Sequence, residues 1–179
     1  KKAIYVTGNT TTTNAPASTP IVNAPAVNTG LRATAFKNMS TQEFINAVGP
    51  IAREDYRKTG VLASVTLAQA INESGWGKSG LTQNSNNMFG MKTSLSGNSW
   101  SGSVWDGRSY VEVKTREEYN GKKVTITAKF RKYPSVAQSI ADHSAYLSNA
   151  MNGARRRYDG LTDTKSYSSQ LTILQKGGY

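Results

Sequence analysis

The run Leu67-Ala68-Gln69-Ala70-Ile71-Asn72-Glu73-Ser74-Gly75-Trp76-Gly77 constrains this chain more than any other stretch. Leu67 to Glu73 predicts an apolar helix with one carboxylate at its C-terminal end. Gly75 and Gly77 then break the helix, with Trp76 between them. Glu73 is therefore expected at the lip of a cleft, beside apolar surface. Partial desolvation raises a carboxyl pKa, so an acid so placed holds a proton near neutral pH. General-acid cleavage of a glycosidic bond needs such a proton. The plainer alternative is a solvated helix-end Glu. That position opposes the helix macrodipole by about 0.3–1 kcal/mol and so calls for a reason.

The rest of the chain supplies a scaffold. Ser40-Thr41-Gln42-Glu43 is a capping box, and Phe44, Ile45, Val48, Ile51, Ala52 and Tyr56 follow at helical spacing. Pro50 is expected to kink or divide that helix, and Gly60 to stop it. Ser64 is the expected N-cap of the next helix, which reaches about Ser74. Leu81 to Asn87 reads as a polar loop, and Ser94 to Gly107 as a long mobile one. Tyr110 to Thr115 and Val124 to Phe130 alternate on either side of Asn120-Gly121, a β-hairpin signal. Ser135-Val136-Ala137-Gln138 reads as a second capping box, and a last helix is expected from about Tyr167 to Lys176. Residues 7–30 are mostly Thr, Asn, Ala, Pro, Ser and Gly, with few large apolar groups and no charged side chain, and cannot build a core. The expected division is an N-terminal arm over 1–36 and one α+β domain over 37–179. Tyr5 and Leu31 to Phe36 carry the apolar groups by which the arm could dock.

Three separate segments resemble one family. They are Ala68 to Gly77, Asn86-Asn87-Met88-Phe89-Gly90-Met91-Lys92, and Phe130-Arg131-Lys132-Tyr133. Together, and in this order, they resemble the bacterial glucosaminidase domain of glycoside hydrolase family 73, found in peptidoglycan-cleaving autolysins and flagellar-rod hydrolases. The resemblance runs from about Ser40 to Tyr179. It implies a mostly helical, lysozyme-like α+β fold with a small β-hairpin lobe beside the cleft. It also implies an endo-β-N-acetylglucosaminidase that cuts after N-acetylglucosamine and needs no cofactor.

The resemblance makes Glu73 the general acid. For the second carboxylate, Thr115-Arg116-Glu117 before Asn120-Gly121 fits the family pattern best, so Glu117 is preferred over Glu112 and Glu118. Any of the three is otherwise a charged edge-strand residue. Trp76 could stack on a sugar or plug the core. Asn87 carries an amide suited to acetamido groups, although Asn also simply favours turns. Phe89 and Tyr133 are candidates for the cleft wall or for packing. Tyr179 matches a family tyrosine near the reacting sugar, and as the last residue here it is expected on a frayed end. The lone His143 reads as structural.

Charge bounds the partners. There are 22 Lys+Arg against 11 Asp+Glu, a formal net charge of +11, so association with a polyanion is expected. Peptidoglycan strands and anionic cell-wall polymers are the expected partners of a monomer that is secreted to the wall or surface of a bacterium. No nucleic-acid motif accompanies the charge. Arg155-Arg156-Arg157-Tyr158 reads as a solvated helix end or as a contact for an anionic wall polymer. With no Cys and one His, a His/Cys-rich zinc site is excluded. No stretch approaches the about 18 apolar residues of a membrane span. A muramidase or lytic transglycosylase is the nearer alternative, and a non-catalytic wall-binding module the more distant one.

Overall fold

Ser40 opens the first long helix by the expected box. Its hydroxyl accepts from Glu43 N–H at 3.2 Å, and the Glu43 carboxylate accepts from Ser40 N–H at 2.7 Å. These bonds hold the Glu43 carboxyl below its ordinary pKa. The computed structural model describes residues 26–94, 100–119 and 122–179, with backbone only over 115–119 and 122–124. Helix α1 spans Thr41–Thr59 without a break and ends on Gly60 at φ 80°. Pro50 does not divide it. Pro50 lies on the buried face with Phe44, Val48, Ile51 and Ala52, whose packing holds the helix together across the missing N–H.

Helix α2 spans Ala63–Ser74 and α3 spans Gly80–Ser85. Ser64 is not the N-cap of α2. Leu62 holds that position, and its N–H is taken by Gln170 Oε1 at 3.0 Å instead of by a local side chain. The expected loop at Leu81 is helix α3, capped by Ser79 and closed by Asn86 at φ 56°. Strands β1 (Tyr110–Tyr119) and β2 (Lys122–Arg131) form the antiparallel hairpin. Tyr119 pairs with Lys122, the register that a two-residue Asn-Gly turn requires. Asn120 and Gly121 themselves lie outside the described residues. Helix α4 spans Val136–Asn149 behind its cap Ser135, whose hydroxyl accepts from Gln138 N–H. A two-residue ladder follows, β3 (Met151–Asn152) against β4 (Arg155–Arg156), and α5 closes the domain over Tyr167–Lys176.

The core sits among α1, α2, α4 and α5. Phe36, Phe44, Val48, Val65, Met88, Ile140 and Leu147 are all within 1 % of complete burial. Gln170 is also fully buried. Its amide joins the α1–α2 turn (Leu62 N, Gly60 O) to the carbonyls of Leu161 and Thr164.

The packed body begins before residue 37. Leu31, Ala33 and Phe36 lie in the core, and a short 3-10 helix runs from Ala33 to Asn38. Leu31 O accepts from Val136 N–H at 2.9 Å. Phe36 meets Phe44 edge-on, with ring centroids 4.8 Å apart. This end of the expected arm is therefore part of the domain. Residues 1–25 of the arm, Tyr5 included, lie outside the described residues.

Candidate active site

Helix α2 ends where it does because Ser74 turns the chain. Its buried hydroxyl donates to Ala70 O and accepts from Gly77 N–H at 2.7 Å. Gly75, Trp76 and Gly77 all take left-handed backbone, at φ 57°, 60° and 73°. For Trp76 that conformation costs about 1–2 kcal/mol, which its packing offsets. The half-buried indole meets Phe44 edge-on at 5.7 Å. Gly77 is required for a second reason, since a Cβ there would run into the Phe36 ring. From below, Gln83 Nε2 donates to both Gly77 O and Ala33 O at 2.6 Å. Glu73 is thus carried on the last turn of a helix whose end is fixed on several sides. Its carboxylate is exposed, accepting from Asn72 Nδ2 at 3.3 Å. Among the described residues, no side chain supplies the desolvation expected from the sequence.

Tyr179 lies within electrostatic reach of Glu73. It is not frayed. Its N–H donates to Leu174 O at 3.0 Å, and its hydroxyl lies 2.9 Å from His143 Nε2. The residue as a whole is 43 % exposed, but its phenol end reaches the fully buried His143. Burial pushes the Tyr179 ionisation well up, and the negative charge of Glu73 adds to that. His143, on α4, stacks flat on Phe89 with centroids 3.7 Å apart. The rings continue from Tyr179 to Tyr158, Tyr146 and Trp100 at 6.4, 5.9 and 5.2 Å. One aromatic row therefore runs from the Asn-Asn-Met-Phe segment to the loop before the hairpin.

Arg157 fixes the end of this row. Its Nε donates to Gly177 O at 2.7 Å, and its Nη atoms reach Gly178 O and the Tyr146 hydroxyl, both at 3.3 Å. The run Arg155-Arg156-Arg157 is therefore neither a helix end nor a uniform basic patch. Arg155 and Arg156 are exposed on β4, whereas Arg157 clamps the turn that carries Tyr179. Replacing Arg157 by Gln is expected to lower turnover of a short soluble glycan. Replacing Arg155 and Arg156 is expected to weaken wall binding alone, with a salt dependence to match. Measuring both properties on both variants decides it, and equal loss of turnover in the two would refute the division.

A second network frames the hairpin. Asp142 is fully buried and accepts from Arg131 Nη1 and the Tyr133 hydroxyl, both at 2.7 Å. It also accepts from Ser103 Oγ at 2.6 Å and Val104 N–H at 3.0 Å. The Arg131 guanidinium lies between the indoles of Trp100 and Trp105, 4.4 and 4.7 Å from the rings. The described part of the expected mobile loop is thus pinned. Residues 95–99 lie outside the described residues.

Of the residues expected to touch sugar, the structure links Phe89 to Tyr179 through His143, puts Tyr179 within electrostatic reach of Glu73, and puts Trp76 in the turn just past Glu73. Asn87 and Tyr133 are both buried. Asn87 is fully buried, and its amide is consumed by backbone: Nδ2 donates to Met91 O and Arg131 O, and Oδ1 accepts from Met91 N–H. Tyr133 spends its hydroxyl on Asp142. Both hold the frame. The hairpin acids divide as well. Glu112 is exposed and lies 3.8 Å from Lys129 across the strand. The side chains of Glu117 and Glu118 lie outside the described residues, and their backbone pairs with Val124 and Lys123. His143, Arg157 and the Arg131–Asp142 pair were missed. Arg131 within Phe-Arg-x-Tyr and the Asp142-His143 step on one helix were the available signals. Among the described residues no three His, Cys, Asp or Glu side chains gather as metal ligands, and no helix is long and apolar enough to cross a membrane.

A helical body, a hairpin lobe and a helix-end carboxylate beside an aromatic wall define a glycoside hydrolase domain of lysozyme-like architecture. Residues 49–179 match the glucosaminidase family, described as mannosyl-glycoprotein endo-beta-N-acetylglucosaminidase, and the chain belongs to that family. It is 36 % identical over 138 residues to the exo-glucosaminidase LytG of Bacillus subtilis, covering 77 % of this chain and 45 % of LytG. It is 36 % identical over 144 residues to the peptidoglycan hydrolase FlgJ of Pseudomonas aeruginosa, covering 78 % of this chain and 33 % of FlgJ. The chain thus spans less than half the length of these relatives. Among solved structures, the catalytic domain of the autolysin Auto from Listeria monocytogenes superposes with a TM-score of 0.61 at 30 % identity, over 90 % of this chain and 77 % of that one. The truncated glycoside hydrolase domain of Salmonella typhimurium FlgJ gives 0.57 at 31 % identity, over 78 % of this chain and 86 % of its own.

Proposed function

We propose that this domain hydrolyses peptidoglycan glycan strands after N-acetylglucosamine, with Glu73 as general acid. The observation that carries the reading is Glu73 on a fixed helix end, with its charge acting on the Tyr179 hydroxyl that His143 holds inward. Glu73 passes its proton to the leaving oxygen as the bond to the sugar breaks. An oxocarbenium-like transition state then collapses with water, which Glu117 activates as base, or with the substrate's own 2-acetamido group acting first as internal nucleophile. Since Glu73 is exposed, the bound glycan itself must exclude water from it. Trp76, half-buried on Phe44, offers the nearest apolar face for a sugar ring.

The place of action follows from the same reading. A chain of net charge +11 acts at the cell wall, among anionic polymers. Its relatives include proteins named as an autolysin of Enterococcus faecalis and a probable N-acetylmuramidase of Lactococcus lactis, each 38 % identical over 109 residues. The second name favours a muramidase as the other reading. The reducing-end sugar of the released fragments decides between them: N-acetylglucosamine supports the proposal, and N-acetylmuramic acid overturns it.

The second acid is tested on the hairpin. Glu117→Gln is expected to lower turnover of purified walls more than Glu112→Gln or Glu118→Gln. Glu112 already faces Lys129 in the open, which suits a strand-edge charge. A larger loss in Glu118→Gln would move the role by one residue along β1.

A further inference from the structure

We propose that His143 is a positioning residue that donates from Nε2–H into the Tyr179 hydroxyl oxygen and thereby makes Tyr179 a hydrogen-bond donor toward the space beside Glu73. This deepens the glycosidase reading and rests on it for its catalytic meaning. Its geometric part stands independently.

The argument starts from the two ring nitrogens. His143 is fully buried and flat against Phe89, so its ring cannot swing. Nε2 lies 2.9 Å from the Tyr179 hydroxyl, and Nδ1 has no hydrogen-bond partner among the described residues. Burial pushes the imidazole pKa down to about 3, against a smaller opposing effect of the Asp142 charge. The ring is therefore neutral at working pH and carries one proton. With that proton on Nδ1, a buried N–H would be orphaned. With it on Nε2, only a lone pair is left unpaired. Orphaned buried N–H groups are rarer than under-used acceptors, so the proton belongs on Nε2.

The consequence falls on the phenol. An oxygen that accepts from His143 keeps its own O–H to donate elsewhere. Burial and the charge of Glu73 hold that phenol protonated. The O–H therefore serves an acceptor on the Glu73 side, which in the bound complex is a sugar oxygen. Arg157, through Gly177 and Gly178, fixes the turn from which Tyr179 reaches in.

The single histidine makes the direct test unambiguous. The full chain, free of any affinity tag, is labelled with 15N-histidine, and its ring nitrogens are read by NMR between pH 5 and 8. One neutral Nε2–H tautomer throughout is expected. A proton on Nδ1, in either charge state, overturns the proposal. The kinetic test uses a soluble GlcNAc–MurNAc oligosaccharide. His143→Phe keeps the stack on Phe89 and removes the donor, and its kcat is expected to fall about 10- to 100-fold with KM little changed. His143→Gln, whose amide can donate from a similar position, should recover part of that loss. In a Tyr179→Phe background His143→Phe should cost nothing further, and an undiminished loss there refutes the coupling. If His143→Phe does not fold, the NMR result decides alone. Glu73→Gln separates the two levels: full activity in that variant would remove the glycosidase role of Glu73 and leave the tautomer result standing.

Discussion

Glu73→Gln is expected to fold as the wild type does and to lose wall-lysing activity by about 10²–10⁴-fold, the usual contribution of a general acid. The substitution is nearly isosteric. It disturbs nothing that holds the turn, because Ser74, Gly75 and Gly77 are fixed by Ala70, Ile71 and Gln83 and not by the Glu73 carboxylate. Loss of turbidity of purified walls, read beside the circular dichroism of the same sample, gives the answer. Half the wild-type rate with an unchanged spectrum would move the acid elsewhere.

The largest stability effect is expected at Asp142. Its carboxylate answers a guanidinium that is only 6 % exposed at the side chain, together with a tyrosine hydroxyl, a serine hydroxyl and a backbone N–H. Asp142→Ala leaves Arg131 charged and without its carboxylate between two indoles. Breaking one side of a buried pair costs about 3–5 kcal/mol, a large share of the about 5–15 kcal/mol that holds a domain together. Asp142→Asn keeps the shape and some of the bonds and should cost less. The exposed pairs Arg57–Glu54 and Lys129–Glu112 should change stability little when broken. Urea unfolding measures all of these. A loss under 1 kcal/mol at Asp142 would mean the network is not structural.

How much of this could be read in the chain depended on whether the signal was local. The Ser40 box, the Gly60 stop, the hairpin register and the whole of α5 rest on residues a few positions apart. Their caps and periodicities are therefore visible in sequence. Glu73 on a helix end before Gly-Trp-Gly belongs to the same class. What the sequence hid is tertiary. Leu62 caps α2 only because Gln170 arrives from α5. Leu81 to Ser85 is polar in sequence but helical once Ser79 and Asn86 close its ends. Asn87 looked like a sugar ligand because an amide advertises hydrogen bonding without naming its partner, and that partner is backbone from Met91 and Arg131. Arg157 lay hidden in a basic run, since only the return of Gly177 and Gly178 from the end of α5 distinguishes it from Arg155 and Arg156.

The seat of Phe36 on Gly77 separates two kinds of boundary. The family model matches from residue 49, but the hydrophobic roof over the Gly-Trp-Gly corner comes from further upstream, from Phe36 and Phe44. A fragment trimmed to the matched region would keep Glu73 and the hairpin acids and lose the cover above the turn that follows Glu73. The segment that the family model matches is therefore smaller than the unit that packs. Phe36 and Phe44, upstream of it, lie against the corner that follows Glu73 and hold it in shape.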